Sequence, residues 1–295
     1  MFLLMTYSIR LSEQFSVTDP VIIDSVTQLG PEASGATVVA GSHCGVFSAR
    51  LAVVRGCTAV FLNDAGVGKN DAGIGGLDFL QLYGIPAAAV RHDTARIGDG
   101  QDALARGVIG HLNEAAKSLG LAAGMKVSDC VLLIAGIGLE GSLMEPDRRV
   151  VEPVETRCLV RRSVDARPVV VVDSISLVEP QDAGAIVVSG SHGGLLGGRP
   201  QTAIRVDAFA AIYNDACGGI DGAGFTRLPE LDRRGIAGAT VDAFSAEIGN
   251  GLSTFEEGLL SRVNSVAARF GGRVGMPLRA FVECLEQIQA RGEPA

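Results

Sequence analysis

The strongest constraint on this chain is that it contains one sequence pattern twice. Residues 23–45 read IDSVTQLGPEASGATVVAGSHCG, and residues 172–194 read VDSISLVEPQDAGAIVVSGSHGG. The two align without a gap, and about half the positions are identical. Asp24, Ser25 and Pro31 match Asp173, Ser174 and Pro180, and Gly41-Ser42-His43 matches Gly190-Ser191-His192. A second block follows in each half. AVFLNDAGVGKNDAGI, from residue 59, matches AAIYNDACGGIDGAGF, from residue 210. Further on, GIPAAAV matches GIAGATV, TARIGDG matches SAEIGNG, Asn113 matches Asn264, and both tails close on Gly-Met at Met125 and Met276. This period is far longer than the roughly 20–50 residues of a solenoid repeat. It implies a duplicated subdomain, with a first repeat over 1–125, a connecting segment over 126–167 and a second repeat over 168–295.

Within one unit, GATVVAG and TAVFLNDAG are apolar, β-branched runs, as expected of strands buried on both faces. Helical stretches follow each of them (VFSARLAVVRG, then GGLDFLQLYG), and IPAAAV reads as a third strand. DALARGVIGHLNEAAKSLG reads as one closing helix, and the apolar run after Ser128 as a capped helix. Strands alternating with helices give the expected fold: α/β, an internal duplication of a three-layer unit with parallel strands, in two pseudo-symmetric halves.

The bulk of the sequence narrows the function. The chain has 295 residues and a net charge of −8, which argues against a nucleic-acid surface, since phosphate binding needs clustered Lys and Arg. No apolar run reaches the roughly 18–20 residues of a membrane span. The opening MFLLMTYSIR lacks a basic start, so a cytoplasmic protein is expected. The six cysteines form no CxxC and read as reduced thiols. The apolar composition, 47% hydrophobic, points to a homo-oligomer.

Ligands of parallel sheets gather at the carboxyl ends of the strands, where both shared motifs fall. In GSHCG and GSHGG, Gly41, Gly45, Gly190, Gly193 and Gly194 would let backbone N–H groups approach a carboxylate or phosphate. His43 and His192 suit acid/base work, and Ser42 and Ser191 suit hydrogen bonding or nucleophilic attack. The same residues also suit a tight strand-to-helix turn. Asp64 and Asp215 could orient a histidine, act as bases or bind a cation. Together with Asn63 and Asn214, they equally suit Asx-turns. Lys69, whose counterpart is Ile220, and Arg91, whose counterpart is Asp242, would add positive charge for a substrate. Arg96 likewise answers to Glu247, so salt bridges between the halves are one expectation.

The leading expectation is an enzyme, a hydrolase or lyase, acting on a small anionic, carboxylate-bearing metabolite by acid/base or hydrolytic chemistry. A non-catalytic binding or sensing protein is one alternative. A cofactor-independent racemase or isomerase using Cys44 and Cys217 is another, although these cysteines occupy non-equivalent positions. No cofactor is expected and no metal ligand is assigned. There is no Walker lysine, and GSHGGLLGG lacks the GxGxxG register of a dinucleotide fingerprint. A divalent metal is compatible with the His and Asp ligand types, but no spacing dictates one.

Overall fold

The computed structural model describes residues 19–138, 154–160 and 167–291. The opening MFLLMTYSIR and most of the charged part of the connecting segment lie outside the described residues. The first half runs β1 (Val21–Ile23), β2 (Thr37–His43), α1 (Val46–Val54), β3 (Ala59–Asn63), α2 (Gly76–Leu82), β4 (Ala87–Val90), α3 (Gly100–Arg106), β5 (Ile109–Leu112), α4 (Glu114–Ser118) and α5 (Val127–Ile137). The second runs β6 (Arg157–Val160), β7 (Val169–Val172), β8 (Ile186–His192), β9 (Ala210–Asn214), α6 (Arg227–Arg233), β10 (Ala237–Val241), α7 (Gly251–Glu257), β11 (Leu260–Val263), α8 (Ser265–Arg269) and α9 (Leu278–Arg291). No helix among the described residues is long and apolar enough to cross a membrane.

The fold is α/β with two similar halves. Each half is one mostly parallel sheet between two layers of helices and turns. In the first sheet the strands lie side by side in chain order, β1 to β5; in the second the order is β11 to β6. β2 shows why its sequence is apolar throughout. Val38 and Ala40 pack under α1 and α2, while Val39 joins Ala103, Val127 and Ile134 from α3 and α5 on the opposite face. Burying both faces removes the polar alternation of a half-exposed strand.

Three local expectations need correction. First, the sheets are mixed: β5, β6 and β11 run antiparallel to their neighbours. Second, the single helix read over DALARGVIGHLNEAAKSLG is three elements. α3 stops at Gly107, whose backbone is extended, and the β-branched residues beyond it add β5 to the sheet edge, Ile109 opposite Val90. Asn113 then starts α4 by accepting the Ala116 N–H at 3.0 Å. The same Oδ1 accepts Ala87 N–H at 3.0 Å, and Nδ2 donates to Ile85 O at 2.8 Å. Asn264 repeats these bonds to Ala267, Gly238 and Ile236, which explains why the asparagine occurs in both halves. Third, the second half has no counterpart of α1. Gly197 and Gly198 take left-handed backbone, and two short turns replace the helix before β9. In the connecting segment, α5 packs on the first sheet, and β6 forms an edge of the second.

The halves meet through equivalent residues. Ala65 and Ala216, Ile97 and Ile248, and Ala72 and Ala223 form one small apolar cluster. Around it, Lys69 N–H donates to Ala243 O and Ile220 N–H donates to His92 O, both at 2.8 Å. These bonds exchange under an approximate twofold, since Lys69 corresponds to Ile220 and His92 to Ala243. The charged pairs also cross the halves, with different partners from those the alignment set opposite. Arg96 bonds Asp221 at 3.1 Å, and Glu247 accepts from Asn70 at 2.7 Å.

Asn264→Ala removes a helix cap and leaves buried backbone groups without partners. It is expected to lower unfolding free energy by about 2–3 kcal/mol. Denaturant melts check this; a loss below about 0.5 kcal/mol would contradict the role given to this side chain.

Candidate functional site

The histidine turns sit where β2 and β8 end, beyond an irregularity in each ladder that places His43 opposite Asn63 and His192 opposite Asn214. Each serine fastens the turn to the segment after the preceding strand. Ser42 Oγ accepts Val26 N–H at 3.0 Å and Ser191 Oγ accepts Ile175 N–H at 2.9 Å. Neither serine caps a helix, and each keeps its own hydroxyl proton to donate. Each imidazole reaches the opposite half. A methyl group on Gly249 would stand 2.9 Å from His43 Cε1, and one on Gly98 would stand 3.0 Å from His192 Cε1. The absence of side chains in the two IGxG loops is what lets the turns close on each other.

Ser42, His43, Ser191 and His192 line one cleft of about 400 Å³, together with Arg50, Glu155, Asp173 and Ser174. A second lobe of about 240 Å³ shares Ser25, Thr27, Ser191 and His192 with the first and adds Thr202, Arg205 and Arg227. Burial pushes His43 down to about 4, and its Nδ1 is sealed from solvent without a hydrogen-bond partner. His192 is 7% exposed and is also held well below the usual histidine range, first by burial, then by the charge of Arg227 and by His43. Gly194 N–H donates to His192 Nδ1 at 3.2 Å. A neutral ring that accepts at Nδ1 carries its proton on Nε2, so His192 is a donor at that atom. Burial, and then Asp173, raise Glu155 to about 7.

The other residues singled out in the sequence lie elsewhere. Asp64 and Asp215 do not border either lobe. Asp64 Oδ1 accepts Gly66 N–H, His92 N–H and His92 Nδ1, each at 2.9 Å, so its histidine is His92 and not His43. That bond raises His92 above its ordinary value. In the second half Ala243 replaces the histidine, and Asp215 accepts Cys217 N–H and Ala243 N–H. Asn63 and Asn214 are buried and spent on their own turns, bonding Ala65 and Ala95, and Ala216 and Ala246. Lys69 bonds Ser245 O at 3.2 Å and Glu257 at 3.0 Å, and Arg91 pairs with Asp93 on the surface.

The glycines serve the protein's own packing. Gly41 and Gly190 press against the IGxG loop of their own half, and side chains there would collide with its backbone. A Cβ on Gly45 would meet the His43 ring. Gly193 N–H is used by Asn214 O and Gly194 N–H by His192, so neither amide is left for a carboxylate. Cys44 is fully buried, and burial pushes its thiol up to about 12. Burial likewise holds Cys217 up at about 11, and its Sγ donates to Gly66 O across the interface. Both are neutral thiols, not nucleophilic thiolates. Among the described residues no group of three or more His, Cys, Asp or Glu side chains is arranged to hold a metal ion.

Glu155, Arg50, Arg205 and Arg227 were not found from the sequence. Arg227 left a signal: it stands where the first copy has Gly76, a change from no side chain to the largest cation. Glu155 lies in the connecting segment, where there is no second copy to compare. Against family models, curated proteins and solved structures, the chain finds no match.

Because His43 is neutral in the fold to about pH 4, the unfolded chain takes up its proton first on acidification. Stability is therefore full above about pH 6.5 and lost between there and about 4, on the order of 3 kcal/mol from His43. Denaturant melts from pH 7 to 4.5 are expected to show a shallower loss for His43→Phe. Equal slopes for the two proteins would contradict the burial.

Proposed function

We propose that the cleft between the halves is the active site of an enzyme that performs acid/base chemistry, hydrolysis or elimination, on a small anionic metabolite. The observation that carries this reading is the convergence of both GSH turns on one cleft beside Glu155. A carboxyl group near 7 can take a proton at neutral pH and return it, which one near 4.5 does far less well. His192 Nε2–H is a neutral donor for charge developing on the substrate, a role favoured where water is excluded. His43 borders the same lobe, and burial keeps its ring neutral. The anion is met by arginines rather than by glycine amides. Arg50, Arg205 and Arg227 border the two lobes, and none of them pairs with a carboxylate among the described residues. In a chain of net charge −8, the gathering of three arginines at one cleft favours an anionic ligand.

The test begins with thermal-shift measurements over small carboxylates and phosphate esters, followed by NMR of the stabilising compounds for conversion. At least one compound is expected to raise Tm and to be converted, with a rate that rises through about pH 7 as Glu155 loses its proton. Glu155→Gln is expected to lower kcat about 100-fold or more and to abolish that inflection while Tm stays close to that of the unaltered protein. Conversion at an unchanged rate would remove Glu155 from the chemistry. Stabilisation without conversion would make the cleft a binding site only.

A further inference from the structure

The two lobes of the cleft derive from equivalent places in the two halves, yet their charges differ. Glu155 and Asp173 border the larger lobe with one arginine, Arg50, whereas among the described residues no acid borders the smaller one, which carries Arg205 and Arg227. Arg227 is 1% exposed. Its Nε donates to Gly194 O at 2.9 Å, and its Nη1 donates to Thr202 O and Ala203 O. Its guanidinium lies 5.0 Å from the Tyr213 ring centre. These bonds satisfy donors but supply no counter-charge, and removing a cation from water without one costs several kcal/mol. Arg205, at the mouth, is exposed and has no ion pair or hydrogen bond among the described residues. His192, whose ring proton is on Nε2, lines the same lobe.

The first half is built differently at the equivalent position. Gly76 packs on the carbonyls of Cys44 and Gly45, where a Cβ would lie 2.9 and 2.7 Å away, and α1 covers the place that the second half leaves to short turns. There is no space for a side chain there.

We propose that the smaller lobe is a binding subsite for one compact oxyanion, a carboxylate or phosphate group, held by Arg227, Arg205 and His192, and that the first half has no such subsite. The chain then has one working site with divided labour: the second half anchors the charged end of the ligand, and the lobe at Glu155 and His43 receives the rest. This rests on the reading of the cleft as a single substrate site.

Isothermal titration of the full chain with inorganic phosphate and with malonate, at low salt and pH 7.5, tests it. One anion per chain is expected, with the tighter of the two probes assigning phosphate or carboxylate chemistry. Arg205→Ala, at an exposed position, is expected to weaken binding about tenfold, as loss of a charge-assisted bond requires. Arg273→Ala, a distant exposed arginine, should stay within about twofold of the unaltered protein. Arg227→Lys keeps the charge but loses the fork, and is expected to weaken binding as well. Failure of both anions to bind, two equivalent anions per chain, or unchanged affinity in Arg205→Ala would overturn the proposal. The readout is binding, so it can fail or succeed independently of the turnover assigned to Glu155.

Discussion

The structure depends on two NDA loops meeting across an approximate twofold. The contact is small: alanines and isoleucines from equivalent positions, with Cys217 laid on Gly66. It tolerates little bulk, because Gly66 has a left-handed backbone and any Cβ there would run into Cys217. Its consequence is large. With the loops in contact, the IGxG loops lie over the histidine turns of the opposite halves, and the ends of β2 and β8 open into one cleft. The cleft therefore owes its shape to packing between the halves. A doubly wound sheet places a ligand where the strand order reverses. These sheets keep their strands in chain order and have no such point.

The second theme is inequality between equivalent positions. Gly76 against Arg227, and His92 against Ala243, are places where one half carries a group the other lacks. The first difference replaces a helix with turns clasped by a guanidinium, and it leaves a cation facing the cleft. The second gives Asp64 a histidine partner and leaves Asp215 with backbone donors and the Ser261 hydroxyl. Twofold packing fixes the frame, and departures from it distribute charge.

Much of the frame was legible in the sequence. The paired apolar runs before GSH and NDA are strands because both faces are covered, and their periodicity says so directly. Two of the antiparallel edge strands, β5 and β11, lie inside runs that read as helix. IGHL and LSRV are short, and what decides their state is pairing to the sheet edge, a long-range term that a local window does not contain. The GSH turns were correctly placed at strand ends. Their glycines lie against neighbouring loops, and a glycine that admits a ligand and one that admits a neighbouring loop look identical in sequence. The sequence shows that Asp64 could orient a histidine but not which one; the fold supplies His92, from just past the end of β4. Glu155 leaves no local mark, since its raised pKa comes from burial beside Asp173, which lies just past the end of β7.

The central claim is that the halves close on each other so that His43 and His192 are held neutral and face one cleft. Imidazole 15N NMR between pH 7.5 and 5 tests it most directly. His43 and His192 are expected to stay neutral throughout, with the His192 proton on Nε2, while His92, held by Asp64, takes up its proton above the ordinary histidine midpoint. Titration of His43 and His192 near 6.5, as for rings in free water, would show that the turns do not meet as described.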